Sequence, residues 1–223
     1  SGEKIFISAG EHDLAENIIH LVLARIPGGP QGIRGISLFI VPKFLVNEDG
    51  SLGARNAVTC THLEDKMGIH GNATCAMRYE GAKGWLLGQE HRGMQAMFTM
   101  MNHARLQVGM QGLGVAQSAL EIATGYASTR AQGRTRLSFG GQGMIEDHPD
   151  VRRMLLMMQS GVLAMRGLVT ETATELDIAD LATGHDAQTA QARADLLVPV
   201  AKGWCTELAV EITSLALQVH GGM

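Results

Sequence analysis

Up to about residue 88 the apolar residues come in short bursts. Segments 4–8, 18–25, 35–41, 57–63 and 74–79 are rich in β-branched and aromatic residues. Between them lie breaks of turn chemistry. Pro27-Gly28-Gly29-Pro30-Gln31-Gly32 makes a loop, Pro42 stops the third run, and Asn47-Glu48-Asp49-Gly50 makes a turn. Short strands at regular spacing predict an antiparallel sheet or partial barrel. The tight strand–helix alternation of a doubly wound nucleotide fold is absent.

From about residue 90 the period changes to three and four. Met94, Met97, Met101, Leu106, Met110 and Leu113 open a stripe that continues to Ala127, predicting a helix of some 40 residues. A second helix starts at Pro149, with Asp147 or His148 as cap, and carries Val151, Leu155, Met158 and Val162 inward. Gly184 is expected to end it as a C′ glycine. A third spans 187–219. Pro199 lies inside it and, at about 3 kcal/mol for an interior proline, predicts a kink or break. The fold class is therefore α+β. An antiparallel β-domain segment at 1–88 precedes an up-down bundle of long helices at 89–223.

Composition narrows the function classes. Net charge is −4 and charged residues make up 18%, with no basic block, which argues against nucleic acid as a partner. No apolar run approaches the roughly 20 residues that a membrane-spanning helix needs. Cys60, Cys75 and Cys205 form no CxxC pair, and a sparse, odd count fits a reducing, cytoplasmic setting. Among the histidines no pair sits at metal spacing on one helix. The thirteen methionines, concentrated at 94–110 and 144–165, suit an adaptable helix–helix core, with an acyl-chain pocket as the other use.

Four places carry candidate chemistry. Phe6 and Ser8, two apart on a strand, share a face. A ring beside a hydroxyl suits a flat heterocycle. Arg130, in Tyr126-Ala127-Ser128-Thr129-Arg130-Ala131-Gln132-Gly133, serves either as a cation for the helix dipole or as a phosphate fork. Gly109-Met110-Gln111-Gly112-Leu113-Gly114 lies mid-helix after no strand, so close helix packing explains it better than a phosphate loop. Gln218-Val219-His220-Gly221-Gly222-Met223 places a glutamine one turn before a Gly-Gly pair, a backbone built for close approach. The chain reads there as a piece of a longer protein, cut near a ligand site.

In this order and spacing the set resembles the acyl-CoA dehydrogenase family, over nearly the whole chain. Lys4-Ile5-Phe6-Ile7-Ser8-Ala9-Gly10 is similar to the family's Lys-x-Trp-Ile-Thr/Ser-Asn-Gly strand, with Phe for Trp and Ala for Asn. Lys66-Met67-Gly68-Ile69-His70-Gly71-Asn72-Ala73-Thr74 resembles Lys-Met-Gly-x-Arg-x-Ser-x-Thr, with His70 for Arg and Asn72 for Ser. Arg130-Ala131-Gln132-Gly133 is similar to the helix-ending Arg-x-x-Phe-Gly without its aromatic. Gln218 with Gly221 and Gly222 matches Gln-x-x-Gly-Gly. Glu11-His12-Asp13-Leu14-Ala15-Glu16-Asn17 and the Pro-Gly loop resemble the 3-methylmercaptopropionyl-CoA dehydrogenase type.

The resemblance implies FAD as cofactor and α,β-dehydrogenation of an acyl-CoA, with hydride passing to flavin N5. It implies electron-transfer flavoprotein as acceptor and a homodimer or homotetramer. It places Phe6, Ile7 and Ser8 at the flavin. Arg130 and Gln132 fall at the pyrophosphate in a neighbouring subunit, and Gln218, Gly221 and Gly222 at FAD across the dimer interface. Asn102 and Arg105 border the acyl-CoA pocket. The usual base, a glutamate after the Gln-x-x-Gly-Gly segment, is expected beyond Met223. The alternative position, just before Arg105, holds Ala104, so no catalytic base is expected within the chain. Two other readings stay open: a helical oligomerisation module without chemistry, and a flavin-dependent acyl-CoA oxidase.

Overall fold

The computed structural model describes residues 1–138 and 140–222. It forms two compact units, Ser1–Thr99 and Met100–Met223.

The first unit is entirely antiparallel. β1 (Gly2–Ser8), β7 (Thr74–Tyr79) and β6 (Val58–Leu63) form one sheet in the order β1-β7-β6. β2 (Ile19–Arg25), β3 (Ile36–Pro42) and β8 (Trp85–Leu87) form a second, and β4 (Phe44–Val46) pairs with β5 (Leu52–Arg55) across the predicted 47–50 turn. Val41, Val58, Cys75, Met77 and Tyr79 make the buried core. All three cysteines are free thiols. Burial pushes the Cys75 thiol up, and neighbouring Cys60 adds to this, so Cys75 is not an activated nucleophile.

Periodicity did not announce the three-residue strands β4 and β8. All three residues of β8 are exposed, and it pairs with β3 through Leu38, Phe39 and Ile40.

The second unit is helical: α1 (Gly93–Thr129), α2 (Pro149–Leu181) and α3 (Gly184–His220). Its core joins small and flexible residues. Ala116, Ala123 and Ala127 of α1 lie beside Met154, Met158 and Met165 of α2 and Cys205, Ile212 and Val219 of α3. A Cβ on Gly112 would stand 2.9 Å from the Cys205 carbonyl oxygen, and one on Gly109 would stand 3.2 Å from that of Ala201. These glycines set the close approach of α1 to α3.

Four expectations are corrected. α3 runs unbroken through Pro199. Pro199 is exposed, as is Asp195, whose carbonyl loses its partner to the proline ring on the solvent side of the helix, while Ala194, Val198 and Ala201 stay buried. Gly184, with φ 66°, begins α3 instead of ending α2, whose C-cap is Ala182. α1 closes at Thr129, so Arg130 follows the last turn. Met154, Met158 and Met165 of α2 fill the core, but Met157 of α2 and Met100, Met101 and Met110 of α1 face outward.

Candidate functional site: a strained strand end and a clasped helix end

In the first unit, β1 does not keep simple alternation. Its register against β7 slips between Lys4 and Ile7, a bulge in which Phe6 takes φ 59°. Phe6 and Ser8 are both exposed, but so is Ile5, so a bulge rather than the strand's period of two aims them. Ile7 turns its side chain into the core and offers only its backbone, with its carbonyl accepting from Gly10 N–H at 3.3 Å. Ala9 holds φ 52°. A left-handed conformation at two non-glycine residues on either side of Ser8 is stored strain of the kind that gathers at ligand sites. Gly10 is fixed by space, since a Cβ there would lie 3.0 Å from Cys75 Cβ and 3.1 Å from Met77 Sδ.

The Lys66 loop closes on the same corner. Ala9 N–H donates to the Ala73 carbonyl at 2.7 Å. Lys66 Nζ donates to the carbonyls of Ile69 at 2.8 Å and Asn72 at 2.6 Å, so this lysine staples its own loop. His70 is exposed and Asn72 half-buried. The two sequence motifs of this unit therefore meet at the Ser8–Gly10 bend.

Beyond the bend, Glu11 pairs with Lys43 and with Arg55, the latter at 2.8 Å. Burial pushes the Glu11 carboxyl up, but hydrogen bonds and charge from Lys43 and Arg55 outweigh it and hold the group below its ordinary value. Nearby His20 is 7% exposed, packs edge-on against Tyr79 and has no partner for Nε2. Burial is the main force holding its pKa down; the Lys43 charge adds to this and Glu11 opposes it.

Neutral His20 is favoured in the fold, so its contribution is complete above its ordinary value of 6.5 and is lost as pH falls below that. The Glu11 contribution is complete above 4.5 and is lost below it. Denaturant titrations are expected to find the β unit losing stability from pH 7 to 5, and His20→Leu flattening that decline. An unchanged slope in His20→Leu would contradict the assignment.

In the second unit, the ends of α1 and α3 are clasped together. The Tyr126 ring stacks on His220, with centroids 4.5 Å apart and planes at 26°. His220 Nδ1 lies 2.8 Å from the Ala216 carbonyl, which it meets as donor. Arg130 is thus brought to the end of α3 that carries Gln218, Gly221 and Gly222. Gly221, at φ 69°, closes α3 with its N–H on the Leu217 carbonyl at 3.2 Å. Among the described residues, nothing lies within 4 Å of where a Cβ would sit on Gly221 or Gly222, and Gln218 is exposed. Met223 lies outside the described residues.

After Arg130 the chain forms a hairpin. Ala131 bridges Met144, Gln132 N–H donates to Gly143 at 2.9 Å, and Ile145 N–H donates to the Arg130 carbonyl at 2.9 Å. Ile145 is buried in the helical core and anchors this return. His148 precedes α2 without capping it through its side chain. Its Nε2 instead donates to the Gln132 carbonyl at 2.8 Å.

Asn102 and Arg105 are one turn apart and half-buried, with Arg105 Nη1 donating to Asn102 Oδ1 at 3.4 Å. The 25 residues from Arg105 to Arg130 span about 37 Å of helix. One chain's Arg130 and Arg105 therefore do not meet over the same part of a ligand. Among the described residues, no group of His, Cys, Asp and Glu is placed to hold a metal, and no helix is long and apolar enough to cross a membrane.

Antiparallel strands with a strained bend, followed by three long helices, define an α+β chain made of a β-domain segment and a helical bundle. The comparisons specify it further. The family model for the acyl-CoA dehydrogenase C-terminal domain matches residues 91–223. A 3-methylmercaptopropionyl-CoA dehydrogenase of Ruegeria pomeroyi is 47% identical over 100% of this chain and 38% of its own length. A butyryl-CoA dehydrogenase of Syntrophomonas wolfei is 39% identical over 99% of the chain and 38% of its own length. The Caenorhabditis elegans ACDH-11 structure, in complex with C11-CoA, superposes with TM-score 0.82 at 25% identity, covering 99% of this chain and 35% of that one. This chain belongs to the acyl-CoA dehydrogenase family. It spans 38% of the length of the curated relatives it matches.

Proposed function

We propose that the protein carrying this chain is an FAD-dependent acyl-CoA dehydrogenase that oxidises the α,β-bond of an acyl-CoA thioester, of the 3-methylmercaptopropionyl-CoA kind. The observation that carries the reading is the Tyr126–His220 clasp, which gathers Arg130, Gln218, Gly221 and Gly222 at one bundle end, as an extended dinucleotide requires. The residues fit the cofactor. Phe6 offers an exposed ring for a flavin face, Ser8 a hydroxyl for its edge, Arg130 and Gln132 donors for pyrophosphate, and Gly221-Gly222 an open backbone. Residues 1–88 act as part of the middle β-domain and 89–223 as part of the C-terminal helical domain.

FAD, when bound, accepts the β-hydride; the chain's own residues hold and orient. Ile7 contributes through its backbone, since its side chain is spent on the core. Asn102 and Arg105 border the acyl-CoA. The 37 Å between Arg105 and Arg130 supports a division of labour in which Arg130 serves the FAD of a neighbouring subunit in a homodimer or homotetramer. Ala104 has no acid to take the α-proton. That step falls to a glutamate beyond Met223, buried so that its pKa rises toward the working pH. Electron-transfer flavoprotein is the acceptor, and the sparse free cysteines support a cytoplasmic site.

The test is product analysis with the complete gene product. Incubation with 3-methylmercaptopropionyl-CoA and electron-transfer flavoprotein is expected to yield the 2,3-enoyl thioester, lighter by two hydrogens. Recovery of unchanged thioester from that mixture and from straight-chain acyl-CoAs would contradict the reading.

A further inference from the structure

Gly221 and Gly222 have no side chain to pack, and among the described residues nothing stands near their Cβ directions. A Gly-Gly backbone that must be ordered when a ligand arrives weakens binding, because glycine has the most conformational freedom to lose. The residue just before the pair supplies the order. His220 is half-buried, and its Nδ1–H donates to the Ala216 carbonyl one turn back at 2.8 Å. Gly221 N–H closes the same turn on the Leu217 carbonyl at 3.2 Å. The His220 ring then stacks on Tyr126, with centroids 4.5 Å apart.

The stack has a second end. Arg130 N–H donates to the Tyr126 carbonyl at 2.9 Å, so the backbone that carries the guanidinium is tied to the residue that carries the ring. One ring contact therefore links Arg130, through Tyr126 and His220, to Gly221. The helical core does not require it. Ala123, Ala127, Ile212, Ala216 and Val219 are buried in their own right, whereas Tyr126 packs half-buried against their rim. A pair of rings at the rim, each bonded through its backbone or side chain to a turn that carries a ligand group, controls geometry more than stability.

We infer that Tyr126 and His220 are a positioning pair for the cofactor. Their stack sets the distance between the Arg130 guanidinium and the Gly221-Gly222 backbone and holds that backbone ready before the cofactor arrives. Each ring acts through its chain neighbour. The inference rests on the dehydrogenase reading and adds to it two residues that carry none of the binding groups themselves.

The experiment is fluorescence titration of the flavin-free complete gene product with FAD. The variants are Tyr126→Leu, which keeps apolar bulk against the core, His220→Ala, and the two together. Each single variant is expected to weaken FAD by about tenfold, the scale of one aromatic stack. The double variant is expected to lose little more than either single one, because both remove the same contact. Tyr126→Phe and His220→Phe keep a ring at each place and are expected to recover most of the affinity. With FAD saturating, the KM for acyl-CoA is expected to stay at the wild-type value throughout. Wild-type affinity in both single variants, losses that add in the double variant, or a loss that phenylalanine does not restore overturns the inference and leaves the dehydrogenase reading standing. A wild-type protein that takes up no FAD defeats that reading, and the positioning pair falls with it.

Discussion

Arg130→Ala is expected to weaken FAD binding by about ten- to hundredfold while leaving the melting temperature of the flavin-free protein unchanged. A hydrogen bond to a charged group contributes about 1.5–3 kcal/mol, and each 1.4 kcal/mol is tenfold. The side chain is exposed and follows α1, whereas its carbonyl, which holds Ile145, survives the substitution. The fold therefore does not depend on the guanidinium. Arg130→Lys keeps the charge but loses the fork, and is expected to recover only part of the affinity. Fluorescence titration of the flavin-free complete gene product checks both. Wild-type affinity in Arg130→Ala would remove Arg130 from the cofactor site and favour the oligomerisation reading.

Gly93→Ala is expected to destabilise the β unit by about 3 kcal/mol, through overpacking that cannot relax. The new Cβ would stand 2.3 Å from the Ser37 carbonyl carbon and 2.6 Å from Leu38 N. Both are backbone atoms near the start of β3, at residues only 0% and 2% exposed. The corner just before Gly93 is also fixed, because His91 N–H donates to Ser37 Oγ at 2.8 Å and His91 itself holds φ 64°. Equilibrium denaturation followed by far-UV circular dichroism measures the loss. A change below about 1 kcal/mol would mean that the first residues of α1 are free to lift off β3.

Much of this architecture was legible in the residue pattern. The switch from bursts of β-formers to a three-and-four period located the longer strands and all three helices, and the motif order singled out Ser8, Arg130 and Gly221-Gly222 as candidates. Local rules failed where tertiary context decides. Nothing in Lys4–Ser8 reveals that β1 bulges at Phe6, because a bulge is a relation between two strands. Pro199 reads as a breaker until its exposure is known. Gly184 suits a helix end or a helix start equally well, and only the chain's path chooses. The Tyr126–His220 stack joins residues 94 positions apart, both ordinary as single residues.

The central claim is that this chain holds part of a flavin site matched to acyl-CoA oxidation. Anaerobic addition of 3-methylmercaptopropionyl-CoA, or a straight-chain acyl-CoA, to the purified complete gene product tests it most directly. The account predicts a yellow protein whose flavin absorbance bleaches on addition and returns with electron-transfer flavoprotein. A protein that purifies colourless and takes up no added FAD, or a bound flavin that no acyl-CoA bleaches, would contradict it.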